Sequence, residues 1–374
     1  MYRITATLDG TDTVIHGRLD PNAQIGSGKL TENVNTIPKF CFSIFPNNPG
    51  YSMIESMKTL VESYDRKNEE TLFKGRVYSV SDIMDADGMV YKTVTCEGEL
   101  AYLCDTIQQS RKFDGQPCQL SEIVPGILST HNSKVDSARK IYPGNISGVF
   151  TGGYANGYIS TFNMITDVCD LAGCEFRLRT DNGNRYLDIA PTFGEHSDTE
   201  IALSRNLRSL QKTVEAKDIV TRFYPVGAVN PSSTVGERLR LAGSEPYIEN
   251  TTLKNLYGIV EASKIYDDIA PTDWSSGGAI GEAQSRLYAA GLKDYNQMIG
   301  LLTSFTVNAL DLSLINGDYD DLRMYNTYRV ITRLQGIDDE VRVTGRVLSL
   351  DDPQNPQLTF GVKPQTLTSM IAGR

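Results

Sequence analysis

Histidine and tryptophan are scarce in this 374-residue chain: His16, His131, His196 and a lone Trp274. No His-x-x-x-His or Cys-x-x-Cys spacing occurs, which removes the usual signature of a zinc site. Cys41, Cys96, Cys104, Cys118, Cys169 and Cys174 are scattered through apolar or strand-like segments. In a long cytoplasmic chain this reads as reduced, buried thiols rather than a disulfide framework. Positive charge is short too, with Lys+Arg 36 against Asp+Glu 46 and a net charge of -10. That balance argues against a sequence-independent grip on nucleic acid, which needs basic side chains to displace counterions. No apolar run approaches the ~20 residues of a membrane helix. Met1 to Thr5 has no hydrophobic signal core, so synthesis and first residence in the cytoplasm are expected.

Catalytic constellations are equally thin. Folding would have to bring Cys118 to His131 for a cysteine nucleophile, and no local pattern supports it. Asp85-x-Asp87-Gly88 hints at a calcium loop, but the twelfth position, where a bidentate Glu is needed, holds Cys96. It reads as a hairpin turn. Asp318, Asp320 and Asp321, and then Asp338, Asp339 and Glu340, each follow a glycine and read as solvated turns between strands. Gly26-Ser27-Gly28-Lys29 lacks the spaced first glycine of a phosphate loop. No catalytic residue, metal ligand or cofactor is assigned.

What the chain does have is an echo. Gly75-Arg76-Val77-Tyr78-Ser79-Val80-Ser81-Asp82 returns as Gly345-Arg346-Val347-Leu348-Ser349-Leu350-Asp351-Asp352, with five of eight positions identical. Both copies alternate with the period of a half-buried strand. Each is preceded by another alternating run, Phe40 to Phe45 and Phe305 to Leu310. The spacing is too wide for a solenoid, so the expectation is one small β-domain present twice. Gly75, Arg76, Val77, Gly345, Arg346 and Val347 are the candidate structural-repeat and interface residues, with both arginines opposed to their valines.

The expected organisation is a β-rich α+β multidomain chain: two similar small β-barrel-like domains with inserted α+β domains. Residues 1–110 form an N-terminal arm and the first β-domain, with 1–35 read as an extended arm or edge segment punctuated by turns at Asp20 and Gly26 to Gly28. A capping box, Ser52 to Glu55, predicts a helix carrying Met53, Ile54, Met57, Leu60 and Val61 on one stripe. A hairpin then spans Leu72 to Cys96, and Gly98 to Gln108 reads as a helix. Residues 111–206 form an inserted α+β domain. Its helix from Leu120 is interrupted at Pro125; a second is capped by Thr161 and closed by Gly173; a hairpin turns at Asp181 to Asn184. The second β-domain takes residues 207–225 and 304–374, including a strand over Asp218 to Tyr224 and strands at 304–315, 328–334, 341–350 and 357–362. Residues 226–303 form a second insertion, with helices over Leu253 to Lys264 and Glu282 to Ala290, the latter ended by Gly291.

Phe73-Lys74-Gly75-Arg76-Val77, Cys96-Glu97-Gly98-Glu99-Leu100-Ala101-Tyr102-Leu103 and Leu187-Asp188-Ile189-Ala190-Pro191 are similar to segments of the phage tail-associated, or prophage endopeptidase tail, family. The resemblance covers nearly the whole chain and points to the N-terminal baseplate hub, or tail-tip, region. It implies a homotrimer whose three subunits present six similar β-domains, matching a six-fold tail tube above and a three-fold tip or fibre below. The implied partners are a distal tail protein or tail tube, a tape-measure protein and tip or fibre proteins, with DNA passing through an acidic channel unbound. The implied place is the virion tail, assembled in the bacterial host cytoplasm. The chain stops at Arg374, so a hub-only member or a truncated product is expected, and no catalytic residue is carried over. The competing readings are a peptidoglycan hydrolase and a carbohydrate-binding module that stacks sugars on Tyr and Trp274.

Overall fold

The computed structural model describes residues 2–361 except 110–111, 115–116, 151–152, 156–157, 203–204, 212–218, 304, 315–320 and 333–336. Asp318, Asp320 and the tail from Lys363 to Arg374 therefore lie outside the described residues. The chain begins with seven strands: β1 Tyr2–Leu8, β2 Thr11–His16, β3 Ile25–Asn33, β4 Lys39–Ile44, β5 Leu60–Asp65, β6 Glu70–Met84 and β7 Val90–Gly98. A 3-10 helix, Glu99–Asp105, leads into a mixed region. There the short strands β8 to β14 are Ile107–Gln108, Lys112–Asp114, Cys118–Gln119, Tyr142–Ile146, Val149–Phe150, Gly153–Ala155 and Ile159–Ser160. They surround helices α1, Leu120–Asn132, and α2, Thr161–Ala172, and the hairpin β15 Glu175–Asp181 and β16 Asn184–Ala190 follows. Then come β17 His196–Ala202, β18 Leu207–Gln211, β19 Arg222–Gly227, β20 Ile248–Glu249, α3 Thr251–Tyr257, β21 Glu261–Tyr266 and α4 Gly277–Thr303. The last strands are β22 Phe305–Ala309, β23 Thr327–Thr332, β24 Ile337–Ser349 and β25 Gln357–Phe360.

The fold is β-rich α+β, as the alternation predicts. Thirteen strands form one sheet in the order β18-β22-β25-β24-β3-β4-β7-β6-β5-β1-β2, with β23 branching from β24 and β17 pairing β23. Among the described residues the strand pairing does not close into a barrel. Its two parts repeat one strand order. The first reads β3-β4-β7-β6-β5-β1 and the second β18-β22-β25-β24-β23-β17. Every step is antiparallel in both, except that β17 runs parallel to β23. The echoed octapeptides begin on β6 and β24, the fourth strand of each order, but four residues out of register: β5 stops at Arg76 and β23 at Arg342, and the bulges follow Val77 and Val343. The echoed flanking runs lie on β4 and β22.

Four buried apolar clusters stand behind these strands. Phe40, Phe42, Phe73 and Val77 belong to one, and Val307, Val330, Val343 and Phe360 to another. Helices α1 and α2 close a third with Phe176 and Leu187. Phe223, Leu287 and Tyr295 form a fourth, where the Phe223 and Tyr295 rings stack 6.0 Å apart.

Several expectations are corrected. Residues 1–35 are not an arm: β3 lies between β24 and β4 inside the sheet. The turn read at Gly26 to Gly28 is a bulge within β3, where Ser27 has φ 53. The capping box does not start an α-helix. A 3-10 turn, Tyr51–Met53, gives way at Met57, whose φ is 65, and β5 starts at Leu60. Met57 N–H donates to the Val77 carbonyl at 2.7 Å and Val77 N–H to that of Thr59 at 2.8 Å. Pairing to β6 thus outweighs the local helix signal. Helix α2 is capped by Ser160, which accepts from Asn163 N–H, and not by Thr161; Gly173 closes it with φ 65. Helix α1 runs on through Pro125 to Asn132. The helix read over Leu253 to Lys264 ends at Tyr257, and β21 follows. Helix α4 passes through Gly291 to Thr303. The strand expected at Asp218 to Tyr224 runs through Pro225 to Gly227 and joins β20 and β21 in a separate sheet, not the second β-region. The run expected at 304–315 stops as a strand at Ala309, and a 3-10 turn follows. Asp338 to Glu340 begin β24 rather than forming a turn, and Cys104 is exposed.

Candidate functional site: the two arginine strands

Both Gly-Arg steps sit where strands approach closely. A Cβ at Gly75 would run into the Glu97 carbonyl oxygen, and one at Gly345 into the Asn33 side chain. Gly75 has no room for any other residue because the obstacle is backbone, whereas at Gly345 the Asn33 side chain would have to move aside. In the ladders Arg76 lies opposite Glu97 on β7, and Arg346 lies opposite Glu32 on β3.

Arg76 is 3% exposed. Its Nε donates to Glu97 Oε1 at 2.8 Å, and its two terminal nitrogens donate to Asp105 at 2.6 and 2.7 Å. The guanidinium also lies 5.3 Å from the Tyr102 ring centre. Burial disfavours its charge, but the hydrogen bonds to Asp105 and Glu97 outweigh that and raise its pKa. The bidentate pair ties the first sheet region to the 3-10 helix Glu99–Asp105. Arg185, in the β15–β16 hairpin, reaches back to Glu99 at 2.6 Å and shares the Tyr102 ring.

Arg346 donates to Glu32 from Nε at 2.9 Å and from a terminal nitrogen at 2.7 Å. Its other terminal nitrogen reaches the Leu322 carbonyl at 3.4 Å. Burial lowers its pKa, but the charge and hydrogen bond of Glu32 overcome this and raise it. This pair joins β24 of the second region to β3 of the first. Leu348 opposes Leu30 two residues on, and both enter the first region's core. Val77 is fully buried in that core, whereas Val347 is half-buried, opposite Thr31 and Gln357. The arginines do oppose their valines, and the carboxylates they meet belong to this chain.

Sequence reasoning missed two other ties. Asn35, 6% exposed, donates to the Cys174 carbonyl at 3.1 Å and accepts from Phe176 N–H at 2.8 Å. Arg342 grips Glu175 through both terminal nitrogens at 2.6 and 2.5 Å. Both partners are distant in sequence, so no local pattern marks them.

The cysteine–histidine reading finds no support in the geometry. His131 is fully buried, its Nδ1 2.8 Å from the Thr106 hydroxyl and its Nε2 3.2 Å from the Arg139 carbonyl. A carbonyl only accepts, so Nε2 carries the proton and Nδ1 takes one from Thr106. Both ring nitrogens are committed, and burial lowers the pKa of the imidazole. Asp85 Oδ1 accepts from Asp87 and Met89 N–H groups, and Gly88 has φ 81, which is a hairpin turn. Trp274 packs against the fourth cluster rather than standing free as a stacking platform.

The fold has counterparts among solved structures. A 43 kDa tail protein of prophage MuSo2 from Shewanella oneidensis is similar with a TM-score of 0.64 at 12% identity, over 97% of this chain and 99% of that one. A tail protein from Neisseria meningitidis MC58 gives 0.58 at 11% identity, over 99% of both chains. Prophage tail protein gp18 from Listeria monocytogenes EGD-e gives 0.57 at 15%, over 99% of this chain and 97% of that one. No curated protein matches the sequence. Residues 195–371 match the prophage endopeptidase tail family. The resemblance read from the sequence thus stands on a second footing. The match covers the second β-region, from β17 on, with its insertion, and all three quoted segments lie before it. At these identities the structural likeness speaks for the fold.

Proposed function

We propose that this chain is a structural component of a phage or prophage tail, a hub at the tail tip that forms a homotrimer. The observation that carries this reading is the strand order present twice in one chain. Three copies of a chain with two alike β-regions offer six alike surfaces to a tube and three alike chains to a tip. The tail-protein fold supports the same reading. The expected neighbours are a distal tail protein or tail-tube ring and a tape-measure protein on one side, and tip or fibre proteins on the other. DNA crosses the ring without specific binding, consistent with the net charge of -10. The regions 1–110, 111–206 and 226–303 are proposed as separate units, with the strand β19 assigned to the last because Phe223 enters its core. No catalytic role is proposed; His131 is committed to Thr106 and Arg139.

Light scattering after size exclusion tests the reading. The expected mass is three times 41.3 kDa. A monomer or an even-numbered assembly at the highest soluble concentration overturns it, as does cell-wall clearing in a zymogram that is abolished by Cys118→Ala.

A further inference from the structure

The two repeated strand orders align rung by rung. Arg76 is the last residue of β6 to face β5, and Arg342 the last of β24 to face β23. Val77 then exchanges main-chain hydrogen bonds with Met57 and Thr59, and Val343 with Tyr325 and Asn326. Met57 and Tyr325 both have positive φ, 65 and 72. Past each valine the strand bulges against its other neighbour, β7 or β25. The backbone thus pairs Arg76 with Arg342, although the sequence echo pairs it with Arg346.

Both arginines of this pair hold the same unit. The inserted α+β unit is entered through the 3-10 helix Glu99–Asp105 and left through the hairpin β15–β16. Arg76 forks onto Asp105 at the end of that helix and lies over Tyr102. Arg342 forks onto Glu175 of β15 and lies 5.6 Å from the Tyr325 ring centre. A bidentate fork fixes direction as well as distance. Arg185 ties the hairpin to the helix through Glu99, so the two grips are linked. Asn35, just past β3, bonds the start of β15. Elsewhere the hairpin stands off the sheet. A cleft of about 720 Å³ is lined by Leu72 and Lys74 of β6, Arg177 and Leu178 of β15, Glu32 and Met324.

We propose that the inserted unit is a strap that sets the angle between the two β-regions, with Arg76–Asp105 and Arg342–Glu175 as its latches. The main-chain joint between the regions is one ladder, Gly345 to Ser349 of β24 against Asn33 to Lys29 of β3. Neighbouring strands settle at twists from about 10 to 35°, so one ladder does not fix the angle. Lys67 and Asn68 also cross to Ser313 and Asp321, but by single bonds without a fork. The strap adds a second connection, gripped at the same rung of each region. Release of one latch loosens the other, because both act through one helix and one hairpin. The proposal is independent of how many copies assemble.

The test measures the angle in the full chain. Spin-labelled unnatural amino acids replace Thr11 of β2 and Gln357 of β25, both exposed, so the native cysteines stay. Electron–electron distance measurement on otherwise wild-type chain is expected to give one narrow distribution. Glu175→Gln, which takes the charge from the second latch, is expected to broaden it about twofold or more. Amide exchange across Glu99–Asp105, at the first latch, is expected to rise about tenfold in the same variant, while β4 and β7 keep their protection. An unchanged distribution overturns the strap. A broadened distribution with unchanged exchange at the first latch overturns the linkage on which the proposal stands. Exchange raised equally in β4 and β7 overturns it too, since the effect is then one of overall stability. If Glu175→Gln loses the wild-type circular dichroism, Arg342→Lys, which keeps the charge but not the fork, takes its place with the same outcomes.

Discussion

His131 illustrates how a residue that looked chemical is made structural. It is enclosed by Thr106 and the Arg139 carbonyl, and its pKa lies below the ordinary 6.5 because burial penalises the cation. The sign follows directly. The folded state holds fewer protons than the unfolded one, so the stability is fully present above about pH 6.5. It is lost as pH falls toward the folded-state value. His16 is shifted in the same direction, also by burial. The melting temperature is therefore expected to fall between pH 7.5 and about 5, and His131→Gln to flatten part of that slope. A slope unchanged by the substitution removes His131 as its source. Histidine scarcity was visible in the sequence, but enclosure was not, since Thr106 and Arg139 come from different segments.

Among the elements, those whose signal is local and repeated were legible. The hairpins around Gly88 and Gly183 carry turn residues with positive φ, and α2 has a sharp glycine stop. Gly291 shows the opposite case. It reads as a helix terminator, yet α4 runs on, and a Cβ there would lie 2.7 Å from Pro225 Cγ. The glycine lets the helix press onto β19. Ala at a helix interior normally gains about 1 kcal/mol over Gly. Here overpacking against Pro225 is expected to outweigh that, so Gly291→Ala destabilises by about 1 kcal/mol net. Thermal or urea unfolding decides it, and a raised melting temperature sinks this account. The Ser52 capping box failed for a related reason: the segment found better partners on β6 than in its own next turn.

For the whole molecule, the joint between β24 and β3 makes one sheet of two regions. Arg346 is largely enclosed there, and Glu32 answers its charge. Removing one partner of such a pair leaves an uncompensated charge and costs about 3 kcal/mol. Glu32→Ala is expected to speed amide hydrogen exchange in β3 and β24 together, while the β5–β6 ladder keeps its protection. Exchange confined to β3 breaks the claim that the two regions are coupled through this pair.

By itself the sequence determined that strands dominate, that one strand motif occurs twice, and that the resemblance is to tail proteins. Those properties live in composition, in two-residue alternation and in an echo of eight residues, all of which survive without coordinates. Only the tertiary structure decided that β3 lies inside the sheet, between β24 and β4. It alone showed that β24 is joined to β3. Strand neighbours are chosen by main-chain hydrogen bonding between segments far apart in the chain, and the backbone that makes those bonds is the same at every residue.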